Sequence, residues 1–308
     1  MKHIITPLLF LLFTCIVITS CSKKEATLQP STIDEMTFIL PQGNNDYDQR
    51  ILNYYNRFGS YLLYKFSNKD AHWSITSWDT SYKLTPAEPA YINNQLDLLD
   101  STFFRYYTDS TLRKYLPTKM LLCSSLKHQA TNNYNTQVDC YYLNNSTYTF
   151  VYQNFPINWG SSRIQHINGV KDSAVIFRGN VNYAFLRAAD VNNKIPRPVE
   201  FTILSDYTTA LPFANVQTER YKRGFLVGGW PHPAQQLDWQ NYIQAIVQNP
   251  YSYLSDATGI TSEDATPKGI LTPVKDPTGL IRAKYQIIVN YYKNNYNINL
   301  QRIGNGEQ

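Results

Sequence analysis

Phe177-Arg178-Gly179-Asn180-Val181-Asn182-Tyr183-Ala184-Phe185-Leu186-Arg187-Ala188 sets Phe177, Val181, Ala184 and Ala188 in an i, i+4, i+7, i+11 row, which predicts a helix. Asn192-Asn193 and Pro196 end it. On either side of this stretch the pattern differs. Upstream, from Leu116 to Gln153, short aromatic and β-branched runs are broken by Lys127 to Thr136 and by Asn144-Asn145-Ser146. That pattern predicts two or three antiparallel strands with polar connections. Downstream, Trp239, Ile243 and Ile246 share one side of a helix over Leu237 to Val247, and Ile281, Tyr285, Ile288 and Tyr292 mark a last helix before Asn297.

Ahead of the strands, Ile51, Tyr54, Tyr55 and Phe58 predict a helix over Asp46 to Phe58, ended by Gly59, and Ser60 to Phe66 reads as a strand. Ile92, Leu96, Leu99, Phe103 and Tyr107 draw one apolar stripe down a long helix from Ala90 to Tyr107, packed on the sheet. The chain is therefore expected to be α+β, with an antiparallel or mixed sheet in 32–158 and a mainly helical half in 159–308, together one domain. With 308 residues, 43% of them hydrophobic and 25 of them Tyr, it must bury a core, which excludes a disordered or fibrous chain. A formal net charge of +5, scattered along the chain, gives no footprint for nucleic acid. No glycine-rich phosphate loop is present.

Met1-Lys2-His3 followed by the apolar run Ile4 to Ile18 reads as a signal peptide over 1–20, too short for a permanent span. Ile18-Thr19-Ser20-Cys21 has the lipobox pattern, so Cys21 is expected to become an acylated N-terminus that holds the body at a membrane, with 21–31 as a polar tether ending in Pro30. The remaining cysteines, Cys123 and Cys140, stand in strand-like segments. A disulfide and two buried thiols are both open readings.

Catalytic signatures are sparse. Of His3, His72, His128, His166 and His232, no two are four residues apart, so no H-E-x-x-H places two imidazoles on one helix turn around a Zn²⁺. There is no G-x-S-x-G elbow. Asp97 with Asp100 and Glu263 with Asp264 read as solvated pairs. The many Tyr, with Trp73, Trp78, Trp159, Trp230 and Trp239, fit core packing and also fit a cleft for sugars or peptides.

Several segments in fixed order carry a family resemblance: Tyr55 to Phe66, Tyr115 to Leu122, Pro198-Val199-Glu200-Phe201 with Ser205-Asp206-Tyr207, Arg223 to Val227, Asp238 to Ile243, and Ile281 to Leu300. On these the chain resembles Bacteroidota lipoproteins encoded near TonB-dependent transporters and their partner surface lipoproteins, a family of substrate-import-associated zinc metallohydrolases. The resemblance implies a zincin-like, metallopeptidase-like fold, an outer-membrane address on either face, a transporter partner, and a peptide or glycan ligand. Relatives carry H-E-F-x-H on the helix before P-x-E-F and an acidic ligand near the later D-[FW] helix. In the register where Phe177 precedes that motif, its positions are Arg178, Gly179, Asn180, Val181 and Asn182, and Leu237 precedes Asp238 where a carboxylate is expected. The segment from Gly169 to Pro196 holds neither His nor Glu. The resemblance therefore implies a degenerate site at Arg178, Gly179, Asn182 and Leu237, with no metal or other cofactor and with Arg178 or another basic group in the space of the cation. The expected function is non-catalytic capture of a nutrient. The alternatives are an active hydrolase assembled from Glu200, Asp206, His166 or His232, and a structural surface lipoprotein.

Overall fold

The first helix, α1 (Asp46–Phe58), starts where the Asp48 carboxylate reaches back to the Asn45 N–H at 2.9 Å, and it stops at Gly59, whose φ of 74° favours a residue without Cβ. Its buried side chains Tyr47, Ile51, Tyr54 and Phe58 recur every three or four residues and face the core. The computed structural model describes residues 38–67, 70–71, 82–130, 133–141, 154–167, 173–214 and 216–307. All but Phe38 belong to one compact unit, Ile39–Gln308. The leader, Cys21 and the tether lie outside the described residues, as do His72, Trp73, Trp78 and the Asn144-Asn145-Ser146 connection.

After α1 come β1 (Tyr61–Leu63), β2 (Tyr82–Pro86), α2 (Ile92–Thr102), α3 (Asp109–Tyr115) and the long β3 (Lys119–Ala130), then β4 (Asn133–Gln137) and β5 (Asn154–Ile157). β1 and β5 run parallel to β3 along the same residues, Lys119 to Leu121, so they take its two edges. Further along β3, β2 and β4 pair antiparallel with it and share Lys127 and His128. β3 is therefore the spine of a mixed five-stranded sheet. Met120, Leu121, Leu122 and Cys123 are all fully buried, as a strand covered on both faces requires.

Two expectations change here. The apolar stripe from Ile92 to Tyr107 is not one helix: α2 ends at Thr102, and a 3₁₀ turn over Phe104–Tyr106 carries the chain on. Phe103 and Tyr107 stay buried because their rings pack edge-on against Phe185, at 5.3 and 5.0 Å, so burial continues the period after the helix stops. The polar stretch from Lys127 also does not break the sheet, since β3 continues to Ala130 and β4 begins at Asn133.

The second half is helical: α4 (Ser173–Val191), the short α5 (Val199–Thr202), α6 (Val216–Lys222), α7 (Gln235–Gln248), the short α8 (Tyr251–Leu254), α9 (Leu280–Tyr296) and α10 (Leu300–Asn305). α4 and α7 meet at Gly179, where an added Cβ would lie 2.9 Å from Gln248 Cγ and 3.1 Å from its Cα, so only glycine lets the two helices approach this closely. Trp239, Ile243 and Ile246 of α7 and Ile281, Ile288 and Tyr292 of α9 are fully buried, as their spacing predicts. Among the described residues no helix is long and apolar enough to cross a membrane.

Candidate functional site

One face of α4 and the strand edge after β4 enclose a cleft of about 570 Å³. Ile176, Asn180, Tyr183, Ala184, Arg187, Ala188 and Val191 line it from α4, at the three- and four-residue spacing of one helical face. Gln137 to Tyr141 form the facing wall, and Gln244 and Gln248 of α7 contribute two amides.

The strand wall is held from behind. Asn158 N–H donates to Asp139 O at 2.8 Å and Tyr141 N–H to Pro156 O at 3.1 Å, bracketing an antiparallel bridge between Cys140 and Ile157. In such a pair the central residue turns its own N–H and C=O away from the partner strand. Among the described residues no hydrogen bond engages those two groups of Cys140. Among the described residues the edge is therefore open at Cys140.

Across the cleft the polar side chains form a chain of hydrogen bonds. Gln248 Nε2 donates to Asn180 Oδ1 at 2.9 Å, Asn180 Nδ2 to Asp139 Oδ2 at 2.8 Å, and Trp159 Nε1 to Asp139 Oδ1 at 2.8 Å. Both oxygens of the carboxylate are thus taken. Trp159, where the chain leaves β5, has φ of 83°, a left-handed conformation that a bulky residue adopts only when its surroundings force it. Its backbone N–H is held by Asn158 Oδ1 at 2.8 Å, and the Arg163 guanidinium stacks 4.6 Å above its ring. The next residue must be glycine: a Cβ at Gly160 would meet Ala87 Cβ and Gln95 Oε1 at 2.6 Å.

Arg187 is the cleft's cation. Its Nε donates to Gln240 Oε1 at 3.3 Å, a weak bond, and its terminal nitrogens have no partner among the described residues. The neighbouring carboxylate, Asp190, is already satisfied by Arg197 at 2.6 Å and by Gln240 at 2.7 Å. Burial pushes the Tyr183 phenol above its ordinary value, so it stays neutral and can both donate and accept.

These donors do not suit zinc. A zinc site takes its ligands from imidazole, thiolate and carboxylate, and the cleft offers amides, phenols and a guanidinium beside Asp139 and Cys140. Each Asp139 oxygen already accepts one hydrogen bond, and burial holds the Cys140 thiol well above its ordinary pKa, away from the thiolate that binds metal. As strand neighbours, the two also project to opposite faces. Among the described residues no three His, Cys, Asp or Glu side chains gather closely enough to hold an ion.

The positions the sequence singled out fall elsewhere. Arg178 reaches α10, donating to Gly304 O at 3.0 Å, and burial lowers its pKa. Gly179 is the contact with α7. Asn182 is fully buried, donating to Thr102 O at 2.9 Å and accepting from Tyr107 Oη at 2.7 Å. Leu237 is exposed at the start of α7. The cleft side of α4 is instead Asn180, Tyr183, Ala184 and Arg187, and the basic group that lines it is Arg187, not Arg178. Nothing in the apolar period of α4 tells its two sides apart, because apolar residues stand on both, Phe177 and Val181 buried in the core and Ile176 and Ala184 along the cleft.

Nor do the four candidates for an alternative hydrolase line the cleft. Glu200 and His166 are exposed. Asp206 is exposed and accepts from Thr208 Oγ1 at 2.5 Å, its carboxyl held well below the usual range by the Thr208 and Thr209 donors. His232 lies against its neighbour's carbonyl, Pro233 O, at 3.2 Å. Cys123 and Cys140 are free thiols. β5 separates them, since Ile157 pairs with Leu122 on one side and with Cys140 on the other. Two strand spacings exceed the reach of a disulfide.

No protein-family model and no curated protein matches the sequence. Among solved structures the chain is similar to a candidate zinc-binding metallo-peptidase from Bacteroides caccae, at 12% identity and a TM-score of 0.50, over 84% of this chain and 89% of that one. The fold is metallopeptidase-like. At that identity the likeness extends to the arrangement of helices and strands and not to the chemistry of the cleft.

Proposed function

We propose that the protein is a non-catalytic, metallopeptidase-like receptor whose cleft captures an extended peptide. The observation that carries this is the open strand edge at Cys140 facing a helix wall of Asn180, Tyr183, Ala184 and Arg187. An extended peptide adds to such an edge through main-chain hydrogen bonds, which bring affinity without a requirement for sequence. The amides of Gln137, Gln244 and Gln248 then contact its side chains, and Arg187, whose terminal nitrogens have no partner among the described residues, takes a carboxylate from an acidic residue or the peptide C-terminus.

The absence of hydrolysis in this proposal rests on the donor set, since among the described residues that line the cleft no group of ligands grips a Lewis acid that would activate water. Together with the lipobox at Cys21, this is a lipid-anchored outer-membrane protein that presents peptides to a TonB-dependent transporter and its partner lipoprotein. Titration of the full chain with a peptide library, beside a cleavage assay run with and without added Zn²⁺, tests the proposal. Saturable binding without cleavage is expected, preferring peptides that carry a carboxylate. Arg187→Gln should weaken those peptides by about tenfold and leave neutral ones nearly unchanged. Metal-dependent cleavage would point to the hydrolase reading, glycan binding alone would replace the peptide, and no binding at all would leave a structural lipoprotein.

A further inference from the structure

A second concavity, of about 330 Å³, opens where the 3₁₀ turn after α2 meets α9 and α10, and it shares no residue with the cleft. Three of its lining side chains are cations: Arg105 from the turn, Lys293 from the last turn of α9 and Arg302 from α10. Among the described residues no carboxylate lines it. The guanidinium carbons of Arg105 and Arg302 each lie 5.8 Å from the centroid of the Tyr106 ring, so they stand within twice that distance of each other. Among the described residues none of the three cations makes an ion pair or a side-chain hydrogen bond. Arg50, Arg57, Arg197 and Lys284, by contrast, each rest on a carboxylate.

Three like charges converging on one hollow repel each other, and their fields sum there. A small multivalent anion relieves that repulsion. The planar guanidinium forks favour an oxyanion that accepts paired hydrogen bonds, and the volume admits a phosphate with a small organic group attached. A nucleic-acid polymer is disfavoured by the small size of the hollow and the low charge of the whole chain, +5.

We propose that this pocket binds a phosphate ester, held by Arg105, Lys293 and Arg302, with Thr108 and Asn297 at its polar rim. The ester is either a soluble molecule or the headgroup of a membrane lipid. The site is independent of the peptide cleft and stands if that proposal fails.

Titrations of the full chain with inorganic phosphate and with glycerol 3-phosphate, beside sedimentation with phosphatidylglycerol and phosphatidylcholine vesicles, test it. All three side chains reach solvent, so Arg105→Gln/Arg302→Gln is expected to fold, which circular dichroism checks; Lys83→Gln, an exposed cation on β2, is the charge control. Saturable binding of glycerol 3-phosphate, weakened about tenfold or more in the double variant and unchanged in the control, is the expected result. If the phosphatidylglycerol vesicles also bind, and glycerol 3-phosphate competes them away, the source is a headgroup; if only soluble esters bind, it is a free ester. Non-saturable binding, or equal losses in the double variant and in Lys83→Gln, would overturn the site.

Discussion

Two lysines show how single residues shape this core. Lys284 and Asp238 are both fully buried, with Nζ and Oδ2 2.5 Å apart, and Tyr207 Oη donates to the same oxygen at 2.6 Å. The ammonium sits among the rings of Phe201 and Phe225, at 4.7 and 5.0 Å, while Asp238 Oδ1 has no partner. Burial drives the carboxyl up and the lysine down, each toward its neutral form, and mutual attraction opposes both shifts. Removing one partner strands the other, so Asp238→Asn should cost about 3–5 kcal/mol in urea unfolding, whereas Asp238→Leu/Lys284→Met should cost much less. Equal losses in the two would show that the pair itself, and not an uncompensated charge, matters. Lys119 is the second case: 5% exposed, donating to Asp70 O at 2.8 Å, its pKa lowered by burial from 10.5 to about 8. Between those values the unfolded chain holds the proton and the folded one does not, so stability rises with pH across that window, by at most about 1.4 kcal/mol per unit. Unfolding curves taken from pH 8 to 10 should lose this slope in Lys119→Met; an unchanged slope would place the titration elsewhere. Neither lysine was legible in the sequence, where lysine reads as surface.

At the scale of elements, legibility followed amphipathicity. α1 and α9 each bury one stripe, so their spacing announced both the helix and its inward face, whereas α7 is buried nearly all round, including Asp238, Gln240 and Asn241. α4 is different, because Phe177, Val181, Phe185, Leu186 and Ala189 are buried around much of its circumference while Ile176 is 54% exposed toward the cleft. A row that is apolar on two sides predicts a helix and leaves its orientation undecided, so the spacing alone does not tell that Asn180 and Arg187 line the cleft while Arg178 and Asn182 pack against α10 and Thr102. The end of α2 failed for a related reason, since burial of Phe103 and Tyr107 imitates helical periodicity in a turn. The α4–α7 contact depends on Gly179, so Gly179→Leu should push Gln248 away, cost about 1–3 kcal/mol, and break the bond from Gln248 to Asn180. A thermal midpoint equal to that of the parent would mean the two helices are looser than their closest approach implies.

For the whole molecule, the sheet in front, the helices behind and the likeness to a metallo-peptidase were readable from the order of segments. The geometry of the cleft was not, because it depends on which side of α4 meets the strand edge and on a strained Trp159 that no local pattern marks. What marks the cleft is its chemistry: a carboxylate whose two oxygens accept from Asn180 and Trp159, the Arg187 guanidinium, whose terminal nitrogens have no partner among the described residues, and the amides of Gln137, Gln244 and Gln248. The direct test is the metal content of the purified full chain after equilibration with a small excess of Zn²⁺ and gel filtration. The account predicts zinc far below one ion per chain, unchanged in Asp139→Ala, whereas one tightly held zinc per chain that disappears in that variant would contradict it.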